Sequence, residues 1–207
     1  MNVEQIGEKL FRTTFGGMSG GIIFYSGRSA IDIACGDIRG KALKAPIWQL
    51  LGGKTNDNLR TYASQLQFGW DDKWHGYTDP KDYAFSARQA LDDGYDAIKV
   101  DPIMFARDGS NRLLASPAGY FGIMTHDQVK MARDRLEAMR KEVGPDVDIS
   151  LEIHSLFGVN SAIQFARAVE DLGIYYYEEP IHPMNADNFA KVTDKVNMPV
   201  STGERSY

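Results

Sequence analysis

The sequence predicts an α/β protein, a partial (β/α)₈ TIM-like barrel with about five strands present, preceded by a mostly helical N-terminal segment. Three observations lead there. After residue 58, short apolar runs alternate with helix-like stretches, the pattern of parallel strands covered by helices. Each later run ends, at its C-terminal side, in charged groups: Lys99 and Asp101, Glu152 and His154, Glu178 and Glu179, then Glu204. Functional groups at the ends of many successive strands are the habit of the barrel, whereas a doubly wound sheet gathers its site at one switch point. Finally, residues 59–207 fall short of the roughly 250 residues of a full barrel, so three β/α units are expected to be missing. Such a partial barrel should expose a sheet edge and apolar faces.

The elements follow in order. Residues 1–15 read as a helix, and Gly16, Gly17, Gly20 and Gly21 as a flexible turn, since their spacing matches no phosphate-binding pattern. A helix is predicted around residues 29–43, then a short apolar stretch holding Trp48, Leu50 and Leu51, stopped by Gly52-Gly53. The polar joint Asn56–Asn58 marks a boundary between residues 1–58 and 59–207. Strands are predicted at 59–64, 96–101, 147–154, 174–179 and 198–203. Helices are predicted at 80–93, 125–143, 160–172 and 186–196. Thr125 and Gln128 have capping-box spacing. Val129, Ala132, Leu136, Met139 and Val143 step by three and four along one helix face.

Composition narrows the function classes. The chain is 43% hydrophobic and 25% charged, with net charge -5. That is ordinary for a globular protein and argues against a nucleic-acid surface, which needs clustered Lys and Arg. Charges at Glu4, Glu8, Lys9 and Arg12 interrupt the start, so neither a signal peptide nor a membrane span is expected there. Cys35 is the one cysteine, which excludes an internal disulfide, and it reads as a small apolar helix residue. A cytoplasmic location is expected.

The strongest chemical signal is a carboxylate ladder. Glu152, Glu178 and Glu204 follow one another at intervals of 26 residues, about one β/α unit, which places them at one level on neighbouring strands. Carboxylates converging on one rim repel unless a cation sits among them. All-oxygen ligation with room left for substrate suits Mg²⁺. Spacing alone does not separate Glu178 from Glu179.

The ordered set of segments resembles the mandelate racemase/muconate lactonizing enzyme branch of the enolase superfamily. It comprises Ser29-Ala-Ile-Asp-Ile-Ala, Asp37-Ile-Arg-Gly-Lys41, Ala45-Pro-Ile-Trp-Gln-Leu-Leu-Gly-Gly53, Ala97-Ile-Lys99, Leu151-Glu-Ile-His154, Tyr177-Glu-Glu-Pro180 and Gly203-Glu-Arg205. The resemblance implies that residues 1–58 are the helical remainder of an α+β capping domain and that the barrel begins at 59. It also implies metal ligands Glu152, Glu178 and Glu204, with Glu179 supporting them. The implied reaction removes the proton α to a substrate carboxylate, and superfamily sites stabilise the resulting charge with Mg²⁺.

Further residues bear on which reaction follows. Relatives that racemise carry Lys-x-Lys where this sequence has Lys99-Val-Asp101, so an epimerase or cycloisomerase is the second choice. Lys99 is expected to orient the substrate carboxylate, with Asp101 beside it as an ion-pair or substrate-binding group. Period two along a strand should also aim His154 into the site with Glu152. Glu152-x-His154 is similar to the Asp-x-His of galactonate-type dehydratases, in which the histidine protonates the departing β-hydroxyl. Arg205, in Gly-Glu-Arg, is expected to bind substrate or brace Glu204. The resemblance puts the general base, a histidine, on a later strand, beyond residue 207. The long segment 102–124, with Arg107, Arg112, Tyr120 and Phe121, reads as a specificity loop. Trp70, Trp74 and His75 are either substrate contacts or packing, and His126 and His182 receive no role. An acid-sugar dehydratase using Mg²⁺ is the leading expectation, with a homo-oligomer allowed for the full-length protein, and a non-catalytic binding relative is the expectation from another class.

Overall fold

The computed structural model describes residues 2–13, 17–18, 20–111 and 122–205. Phe15, Gly16, Arg112, Tyr120 and Phe121 lie outside the described residues. The chain divides into two compact units, the larger of which is Thr61–Gly203.

The smaller unit, which holds Met1–Arg60, is helical in its described part. Helix α1 spans Val3–Thr13 and α2 spans Ile22–Leu43. The second begins seven residues before its expected start, because Gly20 and Gly21 both take positive φ and break the chain just ahead of Ile22. Cys35 is buried on α2 and shares a small pocket with Val3, Gly7 and Leu10 of α1. A short helix α3, Ile47–Leu50, returns against α2. The turn between them needs Gly40, where a Cβ would stand 2.9 Å from the Ala45 carbonyl oxygen. Lys44 closes α2 in the left-handed conformation at φ 54. Ile23, Ile33, Leu43, Trp48 and Leu51 of this unit are exposed.

The larger unit is a strand–helix alternation: α4 Pro80–Asp92, β1 Ala97–Val100, α5 His126–Val143, β2 Asp148–Glu152, α6 Val159–Val169, β3 Ile174–Glu178, α7 Ala186–Thr193 and β4 Val200–Ser201. Caps set the helix starts. Asp79 accepts the Lys81 N–H ahead of α4, Thr125 and Gln128 form a complete capping box on α5, and Asn185 accepts the Asn188 N–H on α7. The strands pair in parallel in the order β1-β2-β3-β4. An order that follows the chain without reversal belongs to a barrel segment, since a doubly wound sheet reverses at its switch point.

The predicted strand at 59–64 is a correction. Among the described residues, the run joins the sheet only at Ala63, in a single parallel bridge to Ile98, with the Ala63 N–H on the Ala97 carbonyl and the Lys99 N–H on the Ala63 carbonyl. Gln65 then turns left-handed at φ 63, which ends any strand. The strand expected at 147–154 likewise stops at Glu152, because His154 and Ser155 take φ 54 and 61.

Ile98, Val100, Ile149, Leu151 and Tyr177 join the buried helix residues Leu136, Phe165 and Ala166 in one core. The residues between them, Lys99, Ser150, Glu152 and Glu178, take the other side of the pleat. Arg135 of α5 is fully buried in this unit. Its guanidinium donates to the carbonyl oxygens of Thr78, Pro102 and Phe105 and stacks 5.0 Å from the Tyr83 ring centroid. Arg140, one turn further on, donates to the carbonyls of Gly144, Val147, Leu172 and Gly173. Among the described residues no helix is long and apolar enough to cross a membrane.

Candidate functional site

The sheet register brings the predicted carboxylates together. Between Ile149 and Leu151 the pairing of β2 with β3 shifts, from Ile149 opposite Ile174 to Leu151 opposite Tyr177. The extra residue on β3 is what sets Glu152 directly opposite Glu178, while Glu178 pairs with Ser201 of β4. Glu204 follows three residues after β4. One carboxylate oxygen from each of Glu152, Glu178 and Glu204 lies within 4.8 Å of the other two. Three hard oxygen donors of this kind fit a divalent cation.

Lys99 reaches into the same cluster from β1. Its Nζ donates to Glu152 Oε2 at 3.1 Å and to Glu178 Oε2 at 2.8 Å, and it lies 5.0 Å from the Tyr62 ring centroid. Burial would pull the ammonium's pKa down, but Glu178 and Glu152 together outweigh it and hold Lys99 above its ordinary value. Burial, then the charge of Glu178, pushes the Glu152 carboxyl above its usual range, against the opposing pull of His154 and Lys99. Beneath them, the Tyr176 hydroxyl is raised to about 12, by burial and then by its hydrogen bond with Tyr62.

Asp101 and His154 form a second group. Asp101 was expected to pair with Lys99 or touch substrate. It is fully buried, and its Oδ2 lies 2.9 Å from His154 Nδ1 while its Oδ1 accepts the Ile103 N–H at 2.9 Å. Placement on β1 explains the difference: the strand ends at Val100, so Lys99 and Asp101 no longer follow one pleat. His154 does turn toward the group, by a left-handed residue after Glu152 and not by period two. Its N–H donates to Glu152 Oε1 at 3.1 Å.

Glu179 is fully buried, in the left-handed conformation at φ 46, and its carboxylate accepts from the Ser155 hydroxyl at 2.5 Å and from the Thr202 hydroxyl. It ties the segments after β2 and β4 to the end of β3. Arg205 donates to Glu204 Oε1 at 2.6 Å. His75 pairs with Asp71 at 3.1 Å and stacks on Tyr77, and Trp74 and Phe68 pack on Phe105, so this segment is engaged in packing. Arg107 pairs with Asp127. Sequence reasoning missed Ser155, Thr202 and Gln67, whose Oε1 accepts the Asp101 N–H. Neither spacing nor composition marks any of the three.

Comparisons with known proteins give the family. Residues 82–207 match the family described as Enolase C-terminal domain-like, and residues 1–52 match the Mandelate racemase / muconate lactonizing enzyme, N-terminal domain. The chain belongs to the mandelate racemase/muconate lactonizing enzyme branch of the enolase superfamily. A D-gluconate dehydratase of Thermoproteus tenax is 33% identical over 86% of this chain and 31% of its own length. A D-gluconate/D-galactonate dehydratase of Picrophilus torridus is 34% identical over 87% of this chain and 41% of its own. Among solved structures, a member of the enolase superfamily from Salmonella Typhimurium is 47% identical with a TM-score of 0.93, over 100% of this chain and 52% of that one. The chain thus spans less than half the length of these curated relatives.

Proposed function

We propose that the whole protein is a Mg²⁺-dependent acid-sugar dehydratase that converts an aldonate to a 2-keto-3-deoxy sugar acid. The observation that carries this is the meeting of Glu152, Glu178 and Glu204 within 4.8 Å, with Lys99 among them and His154 alongside. Names of relatives support the substrate class: D-gluconate, D-galactonate and D-xylonate dehydratases are among them.

Glu152, Glu178 and Glu204 would hold the ion. Bound there, Mg²⁺ supplies Lewis-acid stabilisation of the charge that grows on the substrate carboxylate as its α-proton leaves. Lys99, fixed by two carboxylates, presents its positive charge to the same carboxylate and needs no reorganisation. His154 then delivers a proton to the β-hydroxyl. The Cβ–O bond breaks, water departs, the Cα–Cβ double bond forms, and the enol tautomerises to the 2-keto acid. The α-proton goes to a base that we assign outside residues 1–207. An epimerase needs a second base at the end of β1, and Asp101 there is buried and engaged by the Ile103 N–H and His154, which favours the dehydratase.

The experiment is an assay of the full-length protein on D-gluconate, D-galactonate and D-xylonate, reading 2-keto-3-deoxy acid and deuterium uptake at C2 from D₂O. Product formed with Mg²⁺ and lost with chelator is the expected result. Neither turnover nor exchange on any of the three acids would sink the assignment.

A further inference from the structure

Among the described residues, five that are not glycine take positive φ, and three of them meet at the C-terminal end of the sheet: His154 at 54, Ser155 at 61 and Glu179 at 46. Residues with a Cβ rarely hold that conformation, and where they do, the surrounding structure over-determines it. Glu179 is the point those surroundings share. Its N–H donates to the Ser201 carbonyl oxygen at 3.0 Å and its carbonyl oxygen accepts the Ser155 N–H at 2.7 Å, so its main chain is bound on both flanks. Its side chain repeats the pattern. The fully buried carboxylate accepts the Ser155 hydroxyl on Oε2 at 2.5 Å and the Thr202 hydroxyl on Oε1.

The main-chain bonds fix how far apart the strands run. The carboxylate adds one further bond on each side, beyond the last strand residues Glu152 of β2 and Ser201 of β4. Ser155 follows Glu152 by three residues, Thr202 precedes Glu204 by two, and Glu179 is joined in the chain to Glu178. One short planar group therefore links the segments that carry all three candidate ligands.

We infer that Glu179 is the positioning residue of the candidate metal site: its carboxylate, clamped between the Ser155 and Thr202 hydroxyls, holds the three ligand-bearing segments at the separation at which one divalent ion can be shared. This deepens the proposed function and rests on its assignment of Glu152, Glu178 and Glu204 as ligands. The part played by Glu179 is indirect. Groups that orient ligands from behind are worth about 10–100-fold in metal affinity.

The test uses the full-length protein without substrate, with Mg²⁺ alone as the probe and calorimetry giving its dissociation constant. Glu179→Leu keeps much of the volume and removes both acceptors, and Mg²⁺ should bind about 10-fold more weakly. Glu179→Gln keeps the shape and can hydrogen-bond both hydroxyls, one through its oxygen and one through its NH₂, so it should restore most of that loss. Ser155→Ala and Thr202→Val should each weaken binding. Combined, they should lose less than the product of their separate losses, because the bridge is open once either hydroxyl is gone. This pair decides the matter if Glu179→Leu does not fold.

Wild-type affinity in a folded Glu179→Leu protein, or in the combined Ser155→Ala and Thr202→Val protein, overturns the positioning role. So does an equal loss in Glu179→Leu and Glu179→Gln, or a combined loss that is the simple product of the two hydroxyl losses, since independent effects need no bridge. A wild-type protein that takes up no Mg²⁺ is a different failure: it removes the metal reading itself, and this inference with it.

Discussion

The ammonium of Lys99 stands 2.8 Å from Glu178 Oε2, inside the group of carboxylates that would otherwise repel one another. It is itself a cation in the place where a divalent ion is wanted. Replacing it with methionine removes a buried charge partner, which costs about 3 kcal/mol when a buried pair is broken. Mg²⁺ should recover most of that loss. The measurement is the melting temperature of Lys99→Met with and without Mg²⁺. A larger Mg²⁺-induced rise than in wild type is expected, together with loss of turnover. An identical rise in the two proteins would mean that Lys99 and the ion do not share the site.

Metal binding should weaken on mild acidification. The Glu152 carboxyl is held above its usual range by burial and by Glu178, so it takes up a proton at a higher pH than an ordinary glutamate. An ion must displace that proton. Affinity therefore falls as pH drops through the raised value, by up to about tenfold per unit. Without the ion, the sign for stability is opposite. Ionised Glu152 is disfavoured in the fold, a cost absent below the unfolded pKa, growing as pH rises from the unfolded to the folded pKa, and constant above it. Calorimetric titration with Mg²⁺ from pH 7 to 5 checks the first. A flat affinity over that range contradicts it.

Arg135 should be the most costly single residue of the larger unit to remove. Arg135→Met keeps much of the volume but strands the carbonyls of Thr78, Pro102 and Phe105. Leaving buried acceptors unmet costs about 1–3 kcal/mol each at most, and about 3 kcal/mol in total is a conservative expectation. Urea denaturation should show a lower midpoint at unchanged slope. No change in midpoint would show that the carbonyls find other donors.

Thr125→Ala tests the capping box of α5. The loss of a cap hydroxyl should lower stability by about 1 kcal/mol, seen in the same urea titration. Gln128→Ala should cost less, since it removes only the return bond to the Thr125 N–H. The reverse ranking would contradict the assignment of Thr125 as the cap.

Much of this was legible in the sequence because periodic signals carry it. Thr125 and Gln128 announce the start of α5, and the repeated interval of Glu152, Glu178 and Glu204 announces a shared level. What was not legible depends on single residues leaving the regular pattern. Period two aimed His154 into the site, yet it arrives there through a left-handed turn at φ 54, and Glu179 turns away from Glu178 at φ 46. Glutamate has no preference for that conformation, and the enrichment of histidine there is too small to single out one position. The register shift on β3 is equally silent in the sequence, although without it Glu152 would stand opposite Tyr177 and not Glu178. The strand expected at 59–64 failed for a similar reason, since the left-handed Gln65 limits its pairing to Ala63.

Arg135 and Arg140 grip main-chain oxygens, seven of them between the two, and ignore the identity of the side chains attached. The main-chain paths they clasp, around 78, 102–105, 144–147 and 172–173, are therefore held whatever the exposed side chains there, while buried Phe105 and the positive-φ Gly144 and Gly173 keep constraints of their own. A mutational scan should find exposed positions such as Pro145 and Asp146 permissive and the two arginines intolerant, so that surface changes there leave the frame undisturbed.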